Sequence, residues 1–303
     1  MLSRFGAHLL IGLLWLLHFL PLPLLAALGQ GLGGLLWRLA PTRKRIALRN
    51  LALCFPELSE SERVALAREH FGWLGRSFLE RSLLWFASAK RLQRIVHIKG
   101  DIGLADRSGA PVMWLVPHFV GLEWTGPALL LNQQTPAVNV YQRQSNPVLD
   151  ARLLASRARF GKNALVDRHR GIRPVLKLIR EGFGFINAPD MDFGAKDSAF
   201  VEFFGVPACT LLAPAKVAGA MSMQVQPLVV TMLPGSKGLV VEACAPLPDY
   251  PSGDLLADAR QLNAWLEDRI RENPAQYLWV HKRFKTRPVG EASLYPPKVL
   301  RRG

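Results

Sequence analysis

Acidic residues are scarce in this chain. Against 38 Lys and Arg stand only 23 Asp and Glu, which leaves a formal charge of +15 over 303 residues. An excess of that size directs the protein to an anionic partner: nucleic acid, an acidic protein or an anionic membrane surface. Half of the residues are hydrophobic, which favours the membrane over nucleic acid. Cysteine is nearly absent as well. Cys54, Cys209 and Cys244 are odd in number, far apart and without paired metal-ligand spacing. That excludes a disulfide framework and a zinc site, and it fits reduced thiols in a cytosolic domain. Several catalytic signatures are also missing. There is no Gly-x-Ser-x-Gly nucleophile elbow, no Walker-type phosphate loop and no Gly-x-Gly-x-x-Gly following a strand. Neither an internal repeat nor a low-complexity linker interrupts the chain.

Charge itself is absent from Phe5 to Trp37, where leucine dominates. That run exceeds the roughly 20 apolar residues needed to cross a bilayer, so residues 1–40 are expected to hold a membrane helix. Pro21 and Pro23 lie in its middle and would kink it, or divide it into a span and a re-entrant or interfacial piece. A cleaved signal peptide is the competing reading, from Arg4 and the small residues at Ala26-Ala27-Leu28-Gly29, but the uncharged run is long for one. Arg38, Arg43, Lys44, Arg45 and Arg49 follow. This cluster outweighs the single Arg4 and predicts that residues 41–303 stay on the cytoplasmic side.

Residues 56–95 read as helical, with Ser59 as N-cap and Glu62 three residues on. From Val96 strands and helices alternate. Strands are expected at 112–116, 137–141, 164–166, 184–188, 225–232 and 238–243. Helices are expected at 119–131, 147–160 with Asn146 as cap, 172–181, 211–221 and 255–272, and 234–238 reads as a hairpin turn. Such alternation implies one α/β domain with a mostly parallel sheet flanked by helices.

In that fold, Val112 to Val116 is a short buried strand that stops at Pro117 and delivers His118 to its carboxyl end, where α/β proteins do chemistry. Glu123 follows five residues later. Inside one straight helix the two would lie about 140° apart. With His118 in the loop and Glu123 in the second turn they converge, so that Glu123 can hold one ring nitrogen while the other takes a proton from a hydroxyl. A half-buried histidine beside a solvated glutamate is the plainer alternative. A second strand leads into Ala188-Pro189-Asp190-Met191-Asp192-Phe193-Gly194, which brings Asp190 to the same sheet edge. Two carboxylates alone make a poor magnesium cage, and aspartates that cap a turn fit the same pattern. Among Arg143, Arg152, Arg157 and Arg159, the seven-residue spacing puts Arg152 and Arg159 on one helix face and turns Arg157 elsewhere. A guanidinium reaching the site would suit a phosphate. Trp279 to Arg287, basic with interleaved aromatics, offers a clamp for a phosphorylated ligand or simply a charged surface. A base with no enzyme nucleophile suits direct attack by a substrate hydroxyl, which requires no metal.

Together, Arg49-Asn50-Leu51, Cys54-Phe55-Pro56-Glu57, Val116-Pro117-His118 with Glu123, Tyr141 with Arg143 and Asn146-Pro147, Val166-Asp167-Arg168, Ala188 to Gly194, Phe203 to Thr210 and Gln276 to Pro288 resemble the late acyltransferases of lipid A biosynthesis. These are the lauroyl and myristoyl transferases of Gram-negative bacteria. The likeness runs in order over nearly the whole chain. It implies an inner-membrane enzyme with a cytoplasmic catalytic domain, a fold akin to the glycerolphosphate acyltransferases and no cofactor. It further implies an acyl carrier protein thioester as donor and, as acceptor, the hydroxyl of a hydroxyacyl chain on a phosphorylated lipid A precursor. His118 would be the general base, Glu123 its orienting partner, and Arg157 and Asp190 further site residues. Arg159 or Arg143 are alternatives for the arginine, because the alignment crosses a one-residue length difference. Another lipid acceptor, such as a phosphatidylinositol mannoside or a lysophospholipid, is the nearest alternative, and a non-catalytic scaffold gathering anionic lipids is a third.

Overall fold

The computed structural model describes residues 3–295. It opens with α1 (Arg4–Leu17), α2 (Leu22–Leu39), α3 (Pro41–Cys54) and the long α4 (Glu60–Phe86). The apolar run is thus divided at its prolines: Pro21 caps α2, and Pro23 sits in the first turn, where a missing N–H costs no hydrogen bond. At the start of α4, Ser59 Oγ accepts the Glu62 N–H and a Glu62 carboxylate oxygen accepts the Ser59 N–H, the expected capping box.

Helix α2 lies against α4 at glycines. A Cβ on Gly33 would sit 2.1 Å from the Phe71 carbonyl oxygen, and one on Gly75 would sit 2.3 Å from that of Gly29. Backbone meets backbone there, so no side chain fits. Gly75→Val is expected to force the two helices apart and cost about 1–3 kcal/mol, as overpacking does. Thermal unfolding of the purified variant checks this.

After α5 (Ala89–Ile95) come β1 (Val96–Gly100), α6 (Leu104–Arg107), β2 (Val112–Leu115), α7 (Thr125–Leu130), β3 (Ala137–Tyr141), α8 (Pro147–Arg157), β4 (Asn163–Asp167), α9 (Arg173–Arg180) and β5 (Gly184–Asn187). The chain continues with β6 (Ser198–Phe203), β7 (Val206–Leu211), α10 (Ala213–Ala220), β8 (Gln224–Met232), β9 (Leu239–Ala243) and α11 (Leu255–Glu272). Seven strands form one sheet in the order β1-β9-β8-β2-β5-β3-β4. Every pairing in it is parallel except that of β8 with β9. Strand β2 is central, and all four of its residues are buried because both faces of the sheet are covered. The turn read at 234–238 joins β8 to β9, with positive φ at Gly235 and Gly238.

Several features depart from the sequence reading. Strand β1 is not among the expected strands, the helical stretch read over 56–95 is divided into α4 and α5, and the helix expected over 147–160 ends at Arg157. Strands β6 and β7 form a separate hairpin, turning through Phe204 and Gly205 with both φ angles positive. The helix expected over 119–131 is shorter: Leu122–Trp124 is a 3-10 turn and the α-helix starts only at Thr125. Its first residues are engaged elsewhere. Phe119 forms an isolated antiparallel bridge with Tyr277, and the Val120 N–H donates to the Gln276 carbonyl at 2.8 Å.

Candidate active site

Strands β2, β3, β4, β5 and β8 run the same way, so their carboxyl ends share one edge. The chain leaves β2 through Pro117 to His118 and leaves β5 through Pro189 to Asp190. These two side chains meet. His118 Nδ1 lies 2.6 Å from Asp190 Oδ1, and the His118 backbone N–H donates to Asp190 Oδ2 at 2.9 Å. One carboxylate therefore fixes both the ring and its main chain, and it leaves Nε2 without a protein partner among the described residues. Burial pushes the imidazole towards its neutral form, but the charge and hydrogen bond of Asp190 outweigh it, so the ring's pKa is raised. For Asp190 burial acts upward, and the imidazole and the donated N–H groups bring the carboxyl down to about 2.

Glu123 does not carry the hydrogen bond to the ring. Its carboxylate faces Arg157, with Oε1 2.7 Å from Nη2 and Oε2 3.3 Å from Nε. The physical reason is the shortened helix. Glu123 stands in the 3-10 turn that opens α7, and Asp190 already occupies Nδ1. Burial raises the Glu123 carboxyl, yet the guanidiniums of Arg157 and Arg81 more than offset this and hold it below the usual value. Its charge in turn adds to the raising of His118.

His118, Glu123 and Arg157 border one cavity of about 480 Å³. Leu10 and Leu14 of α1, Phe78 of α4, Leu149 and Leu153 of α8 and Phe160 make it largely apolar. Its sheet side is polar. Asn139 and Asn163 project from neighbouring strands β3 and β4, and Thr125 from α7. Asn139 Oδ1, Asn163 Oδ1 and Thr125 Oγ1 are buried there without partners. The space is mostly apolar with polar groups on its sheet side, which suits a fatty chain that carries oxygens.

The other expected residues are distributed differently. Arg159 donates to the Leu84 carbonyl at 2.8 Å and to that of Ala87 at 2.5 Å, and Arg152 reaches the Trp85 carbonyl. Both bind the end of α4, Arg152 from α8 and Arg159 from the turn just past it, because the helix expected to reach residue 160 ends at Arg157. Arg143 is exposed and lies 3.6 Å from Asp150. Of the three arginines weighed for the site, Arg157 is the one bordering the cavity. Asp192 accepts from the Thr286 N–H at 2.6 Å and the Thr286 hydroxyl at 2.7 Å, so it fastens the C-terminal strap. That strap is no open phosphate clamp. Arg283 is buried and donates to the Cys209 carbonyl at 2.8 Å and to Thr210 Oγ1 at 2.9 Å. Burial pushes His281 down to about 4, which leaves its Nε2 free to accept the Asp192 N–H at 3.2 Å.

The family model described as bacterial lipid A biosynthesis acyltransferase matches residues 1–286. The chain belongs to the bacterial lipid A biosynthesis acyltransferase family. It is 34% identical over 288 residues to the lipid A biosynthesis lauroyltransferase of Escherichia coli (strain K12), covering 94% of this chain and 93% of that one. With the palmitoleoyltransferase of the same organism it shares 32% over 289 residues, at 94% and 92% coverage. With its lipid A biosynthesis myristoyltransferase it shares 33% over 281 residues, at 92% and 85%.

In this lipid A acyltransferase family member, the sequence reading missed Arg81 altogether and quoted the motifs of Tyr277 and Asn50 without their contacts. Arg81 of α4 borders the cavity, makes no ion pair among the described residues, and has its Nε buried without a partner. Only the position of α4 against the 3-10 turn at Leu122–Trp124 reveals it. Tyr277 meets Phe119 edge to face with ring centroids 5.8 Å apart, and burial with the nearby Asp190 charge raises its phenol well above the usual value. Asn50 donates to the Trp279 carbonyl at 2.7 Å and the His281 carbonyl at 2.6 Å, so it ties α3 to the strap behind the histidine. The Arg49-Asn50-Leu51 motif was visible, but not what it touches.

Proposed function

We propose that this protein transfers a fatty acyl group from an acyl carrier protein thioester to the hydroxyl of a hydroxyacyl chain on a phosphorylated lipid A precursor, with His118 as general base. The observation that carries this reading is the His118–Asp190 pair at the strand edge, with Nε2 left open beside a cavity suited to acyl chains. The basic surface is complementary both to an acidic carrier protein and to a phosphorylated lipid.

In this mechanism Nε2 takes the proton of the acceptor hydroxyl as its oxygen attacks the thioester carbonyl. The imidazolium is stabilised by Asp190, and a tetrahedral oxyanion forms. Collapse breaks the C–S bond, and the imidazolium returns its proton to the leaving thiolate. The products are an ester on the acceptor and the free thiol of the carrier. The backbone N–H groups of Phe119 and Val120 already donate to the Pro117 and Gln276 carbonyls, so a guanidinium is the better oxyanion partner. Two nitrogens of Arg157 face Glu123, which leaves Arg81 as the cation at the cavity without an ion pair among the described residues. Its replacement by Ala is expected to lower kcat by about 10²-fold, the loss typical of one oxyanion donor. Steady-state kinetics with saturating donor check it. We read the sheet as akin to that of glycerolphosphate acyltransferases, supported by the placement of His118 and Glu123 after the central strand.

The test is a membrane-fraction assay with carrier protein thioesters of several chain lengths and a partly acylated, phosphorylated lipid A precursor. Transfer from a thioester to that precursor is expected. Failure by an intact wild-type protein, with transfer to a lysophospholipid instead, would move the reading to another acceptor.

A further inference from the structure

Among the described residues one helix, α2 (Leu22–Leu39), is long and apolar enough to cross a membrane. At 1.5 Å per residue it measures about 27 Å, close to the roughly 30 Å of a bilayer's hydrocarbon core. Its surroundings oppose a crossing. A Cβ on Gly29, near the middle of α2, would lie 2.4 Å from the Cα of Arg76 in α4. Arg76 forms a fully buried ion pair with Glu80 at 2.5 Å, and it donates to carbonyls of the β8–β9 turn at Leu233 and Gly238. Trp37, near the end of α2, stands under the guanidinium of Arg68, 5.6 Å from its ring centroid. Only α4 therefore separates the length of α2 from the sheet. Were α2 to stand across the bilayer, it would draw this charged helix, with the sheet edge behind it, towards the bilayer centre, where each charge costs several kcal/mol.

The segment is also fastened to the body at its start and its turn. Asn146, at the N-terminus of α8 beside the candidate site, donates to the Ser3 carbonyl at 3.4 Å. Arg91 reaches the His18 carbonyl and donates to that of Leu20 at 2.5 Å. Leu10 and Leu14 of α1 form part of the cavity wall. The opposite side of α1 exposes Phe5, Leu9, Leu13 and Leu16, spaced at helical intervals, and α2 exposes Leu24, Leu28, Leu35 and Leu39. Large apolar stripes of this kind require a cover.

We infer that α1 and α2 lie along one leaflet of the membrane without crossing it, with their exposed leucines and phenylalanine in the hydrocarbon and both helix ends on the side of the catalytic body. The cover is a lipid monolayer, since Arg38 and Lys44 follow the stripes with the charge that anionic headgroups attract. One helix, α1, then separates the lipid from the cavity. The inference stands on packing alone and does not depend on the reaction assigned above.

Sidedness of the N-terminus decides it. A single crossing by α2 with the body in the cytoplasm would place α1 in the periplasm, whereas a one-leaflet pair keeps it in the cytoplasm. Arg4 is exposed and outside the site, so Arg4→Cys supplies a handle, with the wild-type protein as the blank for its own three cysteines. The expected result is that a membrane-impermeant maleimide labels the variant above the blank in inside-out vesicles and leaves it unlabelled in intact spheroplasts. Labelling in intact spheroplasts would overturn the inference and return α2 to a crossing. An unchanged melting profile establishes that the labelled variant is folded.

Discussion

Replacing His118 by alanine is expected to lower acyl transfer by about 10²–10⁴-fold, the range over which a positioned general base acts. The protein should stay folded and membrane-bound. The imidazole is not part of the packed core: its side chain keeps 19% of its exposure and borders the cavity. What it contributes is a proton acceptor at Nε2. An alanine leaves the thioester and the acceptor hydroxyl free to bind with nothing to take the proton, so the loss should fall on kcat more than on KM. Membrane fractions assayed at saturating donor, with circular dichroism of the purified variant, separate the two. A variant that folds and transfers at the wild-type rate would end the role of His118 as base.

Asp190→Asn tests a different link, the tautomer. The carboxylate accepts at both oxygens, from Nδ1 at 2.6 Å and from the His118 backbone N–H at 2.9 Å. Asparagine retains one oxygen and presents an NH2 at the other. If its oxygen stays on the backbone N–H, the amide donor faces Nδ1, the ring proton moves to Nε2, and the base can no longer accept. Loss of about 10³–10⁴-fold is expected, as for a triad held in the wrong tautomer.

The pH dependence carries the sign of the same contact. A general base works when neutral, and the raised His118 pKa places the acid limb of activity above the ordinary histidine value. Removing the Asp190 charge leaves burial to dominate, so the remaining activity should show its acid limb at lower pH. Stability follows in the opposite sense at each end. The Asp190 carboxyl, brought to about 2, stabilises the fold above the unfolded carboxylate pKa of roughly 3.9, and loses that contribution as pH falls towards 2. The raised imidazole stabilises below roughly 6.5 and loses its contribution as pH rises through its folded pKa. Thermal melts should therefore show a larger gap between wild type and Asp190→Asn near pH 5.5 than near pH 9.

Much of this was legible along the chain. A break at Pro117 ends a buried strand, and Pro189 ends another, so His118 and Asp190 had to stand at strand ends. Parallel alternation put those ends on one edge. The division of the apolar run at Pro21, the capping box at Ser59 and the turn at 234–238 are local chemistry, decided within a few residues. The ordered motifs pointed to the family that the comparisons show. Less legible was the hairpin of β6 and β7, because nothing in Phe203-Phe204-Gly205-Val206 announces positive φ at a phenylalanine.

By itself, then, the sequence determined the strand and helix alternation, the placement of an imidazole and a carboxylate at one sheet edge, the apolar N-terminal segment and the basic charge. Only the tertiary structure decided who holds whom. It gave the imidazole to Asp190, 72 residues away, and Glu123 to Arg157, 34 residues away. It also folded the basic strap inward and laid α2 along α4. The physical reason is that hydrogen-bond partners are chosen by strand order and helix packing. Those bring distant residues within 3 Å, whereas spacing along the chain constrains only neighbours a turn or two apart.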